Sequence, residues 1–319
     1  MDVEGRTRRS LISASLGVGA LALFPAAPVL LAADAATATV PAGVLAKPLS
    51  AGTEPVPVVG VGTARRYDVE PGSDACQRLA QALVAFAGMG GRLVDTSPSY
   101  GRAEAVLGRI LREHDLRDRL LLATKVGAGG EGEDAGRAQI EASFRRLGVE
   151  RIELLQIHNL AGIGTMLPVL RALKADGRIG LVGATTAFKD QYPALEAAML
   201  QGGLDVVQVD YAIDNREAAE RILPLAADLG IGVLANLPFG RGRVFQALGG
   251  RRLPDWAQAL GISSWAQFAL KYVVSHPAVS CAIPGTATRA YAEDNFGAAL
   301  GALPDSDTRR RMVDLLEAG

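Results

Sequence analysis

Short, almost unbroken apolar runs recur along the chain, and between them lie longer stretches in which apolar residues return at every third or fourth position. The runs cover 57–61, 92–95, 120–125, 152–158, 179–183, 205–209, 232–236 and 279–283. Leu-Leu-Leu-Ala at 120–123 and Gly-Val-Leu-Ala at 232–235 leave no polar face, as parallel strands packed on both sides require. The intervening stretches 77–87, 103–113, 138–147, 166–174, 193–200 and 218–229 carry the helical spacing. Gly148, Gly177 and Gly230 punctuate helix ends, and 265–274 and 308–316 supply two more helical segments. Regular alternation of strand and helix predicts an α/β protein with a single-domain (β/α)8 barrel. Periodicity alone leaves a doubly wound open sheet as the alternative.

The first residues follow a different pattern. Arg8 and Arg9 precede a charge-free stretch from Ser10 to Ala33, the arrangement of a basic region followed by an apolar one in an export signal. Paired arginines before a run of moderate hydrophobicity resemble the twin-arginine class, and Ala33-Asp34-Ala35 offers a small-x-small cleavage site. Residues 1–35 are therefore expected to be a twin-arginine signal peptide, 36–53 a linker, and 54–319 the barrel. The implied destination is the periplasm or another extracytoplasmic space, with the twin-arginine export machinery as a partner. An uncleaved membrane anchor is the competing reading, weakened by Pro25 and Pro28 within the apolar run.

Composition narrows the partners. With 33 Lys+Arg against 34 Asp+Glu and 49% hydrophobic residues, the chain can bury a large core, and it has no excess of positive charge to gather phosphates. Nucleic acid is not an expected partner. Cys76 and Cys281 fit neither metal-ligand nor CxxC spacing and read as two buried thiols, although pairing after export stays open. No metal site is expected.

Strands this apolar should not carry charge without a reason, because an unpaired buried ion costs several kcal/mol. Three strand ends break that rule: Asp95, Lys125 and His158 each close a strand at its C-terminal end, where barrel active sites assemble. Tyr100 follows Asp95 in the turn Asp95-Thr96-Ser97-Pro98-Ser99-Tyr100-Gly101. A phenol of ordinary pKa about 10 is a poor acid at neutral pH, but a nearby ammonium stabilises its phenolate and lowers that value. Lys125 is placed to supply the charge, Asp95 to hold Lys125 ionised, and His158 to hydrogen-bond a substrate carbonyl. Taken singly, each has a structural explanation: a cap, a snorkelling lysine, a satisfied histidine.

From Val56 to Leu300 these residues resemble the aldo-keto reductase superfamily. Asp95-Thr96 with Tyr100-Gly101, Thr124-Lys125-Val126 and Leu154-Leu155-Gln156-Ile157-His158 look like its catalytic Asp, Tyr, Lys and His, in family order. Gly62 with Thr63, Gln208 with Tyr211, Pro238-Phe239-Gly240 with Gly242, and Ile283-Pro284-Gly285-Thr286 with Asn295 resemble its cofactor-binding segments. The chain departs from the family pattern at three places. Thr185-Thr186 stand where Ser-Asn usually grip the nicotinamide carboxamide, keeping hydroxyls but not the amide. Asn236-Leu237 stands where an aromatic ring usually stacks. Tyr291 stands where an arginine is usual, with Arg289 two residues earlier as its potential substitute toward a 2′-phosphate.

The resemblance implies reduction of an aldehyde or ketone by NADPH or NADH, or the reverse oxidation, with Tyr100 as proton donor and a small carbonyl compound as substrate. A nucleotide-binding barrel with slow turnover and a regulatory role is the alternative from another class. A third possibility is a lyase or isomerase using Lys125 as a Schiff-base amine. Trp256 and Trp265, both in or beside helical pattern, are expected to pack rather than contact substrate.

Overall fold

Each apolar run becomes a strand of one sheet. The computed structural model describes residues 40–318, so the expected signal, 1–35, and the start of the linker lie outside the described residues. Eight parallel strands follow in chain order: β3 (Val61–Gly62), β4 (Leu93–Asp95), β5 (Leu121–Val126), β6 (Ile152–Ile157), β7 (Ile179–Thr186), β8 (Val206–Asp210), β9 (Gly232–Asn236) and β10 (Cys281–Ala282). Helices α1 (Asp74–Gly88), α2 (Ala103–Glu113), α3 (Glu133–Leu147), α4 (Ile163–Ala175), α5 (Tyr192–Gln201) and α6 (Ile222–Asp228) cross between them. α7 (Arg243–Leu248), α8 (Asp255–Gln258) and α9 (Trp265–Val274) precede β10, and α10 (Arg289–Gly297) and α11 (Ser306–Glu317) follow it.

The two edge strands meet. Parallel bridges join Val59 to Ala282 and Gly62 to Gly285, and the amides of Gly60 and Gly62 donate to the carbonyls of Ala282 and Pro284 at 2.8 and 2.9 Å. The sheet therefore closes on itself, which excludes the doubly wound alternative. Gly62 serves this closure directly: a Cβ there would sit 2.7 Å from the Ile283 carbonyl oxygen.

The linker expectation fails at its C-terminal half. β1 (Ala46–Pro48) and β2 (Pro55–Pro57) form an antiparallel hairpin, which also claims the start of the run expected to be the first barrel strand. Prolines 55 and 57 lack N–H donors, so this pairing stays short. The hairpin is anchored in the barrel. Leu49 and Val56 join Leu93, Ala123, Leu154, Val206, Leu234, Cys281 and Ile283 in one buried apolar cluster. Lys47 Nζ donates to the carbonyls of Val274, His276 and Val279, each at 2.9 Å.

That cluster sets the height of the polar layer. Side chains on a strand alternate faces, so the residue two positions beyond an inward one is also inward. Two steps from Leu93, Ala123, Leu154, Val206 and Leu234 lie Asp95, Lys125, Gln156, Gln208 and Asn236. An apolar floor thus carries a polar ceiling at the C-terminal ends of the strands.

Among the described residues, no helix is long and apolar enough to cross a membrane. Cys76 and Cys281 are buried free thiols, and burial pushes the Cys281 thiol up. Both tryptophans pack as expected, their rings 5.9 and 5.1 Å from that of Phe268, and Trp265 Nε1 donates to the Arg251 carbonyl.

Candidate active site

Two turns bring the four candidate catalytic residues together. Asp95 ends β4, and the chain then turns through 96–102 before α2 begins. Gly101 makes the turn possible: its φ is +62°, and a Cβ would lie 2.4 Å from the carboxyl carbon of Asp68. Asp68 accepts from the Arg102 amide at 3.1 Å, tying the Tyr100 loop to the loop after β3; these Arg102 contacts hold the Asp68 carboxyl below its usual range. The second turn follows β6, where Asn159 and Leu160 take φ of 50° and 58° directly after His158. A left-handed Leu is costly, and such strain gathers at functional sites.

The structure assembles all four residues. Lys125 Nζ donates to both carboxylate oxygens of Asp95, at 2.8 and 2.6 Å, and to the Thr96 carbonyl at 2.8 Å. The same ammonium lies 5.1 Å from the centroid of the Tyr100 ring, and the Tyr100 and His158 rings meet edge to face with centroids 6.0 Å apart. Asp95 Oδ1 also accepts from Gln156 Nε2 at 3.2 Å and from Gln208 Nε2 at 3.0 Å. Gln156 was missed as a site residue, though one polar position inside Leu154-Leu155-Gln156-Ile157 was signal enough. Ser97 and Ser99 were also missed; their hydroxyls each lie 3.3 Å from His158 Nδ1. Their signal was only proximity to Tyr100 in sequence.

The electrostatics correct one expectation. Burial raises the Tyr100 phenol above its ordinary value, Lys125 opposes that, and the Asp95 charge adds to it. The ammonium pulls the phenol down as expected, but desolvation of the phenolate, with the Asp95 charge added to it, outweighs that pull, so the net shift is upward. Tyr100 thus holds its proton at neutral pH, as a donor should. Lys125 keeps its charge: burial works against it, but Asp95 and Tyr100 outweigh burial and raise its pKa. A protonated amine with three acceptors is not a nucleophile, which argues against the Schiff-base alternative. His158 is lowered to about 4, first by burial and then by Lys125, so its imidazole is neutral.

The residues matched to cofactor-binding segments lie at or just after the C-terminal ends of β3, β7, β8, β9 and β10. After β7, the Thr185 hydroxyl accepts from the Asn159 amide at 3.2 Å, while that of Thr186 donates to Gln191 Oε1 at 2.6 Å and accepts from the Phe188 amide at 3.0 Å. The Thr186 hydroxyl is committed to its own turn, contrary to expectation, whereas the Thr185 hydroxyl ties β7 to the turn after β6. After β9, Asn236-Leu237-Pro238 leads into a loop in which Leu237, Gly240, Arg241 and Gly242 all have positive φ. After β10, Asn295 Nδ2 donates to Thr286 Oγ1 at 3.2 Å and Thr286 donates to the Pro284 carbonyl at 3.1 Å, shaping a loop that leaves Gly285 exposed. Arg289 opens α10 and pairs on the surface with Glu293.

Two of these side chains hold buried oxygens without a protein partner: Thr63 Oγ1 and Asn236 Oδ1. A hydroxyl and an amide oxygen left unpaired at the C-terminal ends of the strands fit a polar ligand that supplies their partners. With the exposed Gly285 and the left-handed glycine loop, where backbone can approach closely, the residues present fit a dinucleotide.

A sequence profile of the Aldo/keto reductase family matches residues 58–311. The chain is 26% identical over 193 residues to the NADH-specific methylglyoxal reductase of Escherichia coli (strain K12), a match covering 52% of this chain and 58% of that protein. It therefore spans little more than half of that relative's length. An aldo/keto reductase of Klebsiella pneumoniae, solved with NADP and acetate, superposes with a TM-score of 0.71 at 25% identity, over 84% of this chain and 94% of that one. A Klebsiella pneumoniae aldo-keto reductase structure in complex with NADPH gives 0.71 at 26% identity, over 85% and 95%. With the matched profile spanning the barrel and every member of the Asp-Tyr-Lys-His set in contact at its C-terminal end, this chain belongs to the aldo/keto reductase family.

Proposed function

We propose that the protein reduces a small aldehyde or ketone with a nicotinamide nucleotide, with Tyr100 as the proton donor. The observation that carries this reading is the packing of Tyr100 against both the Lys125 ammonium and the His158 imidazole. When bound, NADH or NADPH supplies the hydride; the protein's side chains do the rest. Tyr100 retains a proton and gives it to the developing alkoxide, and the charge of Lys125 stabilises the phenolate left behind. Asp95 fixes Lys125 in place, and neutral His158 orients the carbonyl.

Thr63, Gln208, Asn236, the loop 237–242, and Gly285 with Thr286 are the residues that would hold the nucleotide. The solved relatives bound to NADP and NADPH, and the NADH-specific relative, support either dinucleotide here. The alternative of a binding protein with slow turnover draws on one observation: the Thr186 hydroxyl is committed to Gln191 and Phe188, so the usual carboxamide grip is altered. Nucleotide titration combined with turnover of an aldehyde panel separates the two. Turnover abolished by Tyr100→Phe supports the reductase; tight binding with no Tyr100-dependent turnover supports the other.

Export by the twin-arginine route is part of this proposal, resting on Arg8-Arg9 and the charge-free stretch after them. That route carries folded proteins, so a nucleotide could travel with the enzyme. Fractionation of cells expressing the full chain tests it: Arg8→Lys with Arg9→Lys should trap the protein in the cytoplasm, and equal export of both forms refutes it.

A further inference from the structure

His158 Nδ1 faces two hydroxyls that also bond to each other. Ser97 Oγ and Ser99 Oγ each lie 3.3 Å from Nδ1 and 2.9 Å apart, and the Ser99 amide donates to Ser97 Oγ at 3.2 Å. Ser97 is fully buried, Ser99 exposed. A neutral imidazole carries one N–H, and which nitrogen holds it is decided by the partner of the other. If Nδ1 is the acceptor, one serine hydroxyl donates to it and the other donates to the first, so both hydroxyl protons find acceptors within the triangle. If Nδ1 carries the proton, it donates to one hydroxyl and that hydroxyl to the other, and the second hydroxyl proton finds no acceptor left within the triangle. One hydroxyl must then turn to solvent.

We infer that Ser97 and Ser99 are positioning residues that lock His158 as the Nε2–H tautomer, aiming its only ring donor at the substrate oxygen. The inference rests on the reductase reading for its consequence, though not for its geometry. The other tautomer would present a lone pair to the carbonyl oxygen and repel it. Burial, and after it the nearby Lys125 ammonium, keeps the imidazole from taking a second proton, which would make the question moot. No proton is transferred; the ring donates a hydrogen bond whose direction the serines fix. Because either hydroxyl reaches Nδ1, one should suffice when the other is removed.

Nitrogen-15 NMR of the imidazole rings reads the tautomer without turnover. The full chain has three histidines, and His158→Gln assigns the signal. The wild type should show Nε2–H at His158, the single variants Ser97→Ala and Ser99→Ala should keep it, and the double variant should shift toward Nδ1–H or a mixture. In parallel, kcat/KM for the carbonyl should fall about tenfold or more in the double variant, with nucleotide Kd within about twofold of wild type. Nδ1–H in the wild type, or an unchanged tautomer in a folded double variant, overturns the inference. A protein that reduces no carbonyl yet shows the serine-dependent tautomer would overturn the reductase reading and leave the lock supported.

Discussion

Both carboxylate oxygens of Asp95 accept from the Lys125 ammonium, at 2.8 and 2.6 Å, and both side chains are nearly inaccessible to solvent. The pair stands directly above an apolar floor, where either charge alone would be badly solvated. Breaking a buried pair by removing one partner costs roughly 3–5 kcal/mol, because the survivor is left uncompensated. Asp95→Asn and Lys125→Met should each lower the stability measured by urea unfolding by about that much. The double variant should be less destabilised than the sum of the singles, since neither leaves an orphan charge. Strict additivity would show that the two do not act as a pair.

Tyr100 holds its proton more tightly than a free phenol, so the two directions of reaction should respond oppositely to alkali. Carbonyl reduction needs the protonated phenol and should hold level through neutral pH, falling only as the phenol ionises above its ordinary value of 10.0. Alcohol oxidation needs the phenolate and should climb with pH over that same alkaline range. Initial rates in both directions check this; a reduction rate that falls between pH 7 and 9 contradicts it.

Acid should destabilise the fold through two half-buried histidines. His158 and His276 are both lowered from 6.5 to about 4, chiefly by burial, so the unfolded chain binds more protons than the folded one between those values. Their contribution to stability is complete above pH 6.5 and is lost as pH falls through 4. Melting temperature should decline across that window, and more gently in His276→Gln than in wild type. An identical slope in the variant would show that His276 does not share in the effect.

The hairpin seals the barrel through a contact with no room to spare. A Cβ on Gly232 would lie 1.5 Å from the Leu49 carbonyl oxygen, so Gly232→Ala must push the hairpin away or displace β9. The cost should be about 1–3 kcal/mol or more, the usual penalty for overpacking a core. A melting temperature equal to wild type would mean the hairpin is not seated as described.

Most of the barrel could be read from the chain because parallel strands buried on both faces leave unbroken apolar runs, and the charges that interrupt them stand out. Asp95, Lys125 and His158 were legible for that reason. Gln156 and Gln208 interrupt their strands in the same register, but an uncharged amide raises a weaker alarm. β1 and β2 were hidden because their pairing spans only three residues each, among prolines and small side chains that resemble linker. α10 buries only Ala292, Asn295 and Phe296, and a stripe that narrow has no clear helical signature. The upward shift of Tyr100 was illegible for a different reason: whether an ammonium or desolvation wins depends on burial and on the distance to Asp95, neither of which is written in a sequence.

The central claim is that Tyr100 gives the proton in a nicotinamide-dependent carbonyl reduction. The most direct measurement is oxidation of NADH and NADPH by the full chain and by Tyr100→Phe, with a panel of small aldehydes that includes methylglyoxal, alongside nucleotide binding by each. Positioned acids contribute roughly a hundred- to ten-thousandfold to rate, so the variant should lose turnover by that factor while binding nucleotide within about twofold of wild type. Equal turnover by both proteins, or no turnover by either despite tight nucleotide binding, would contradict the account.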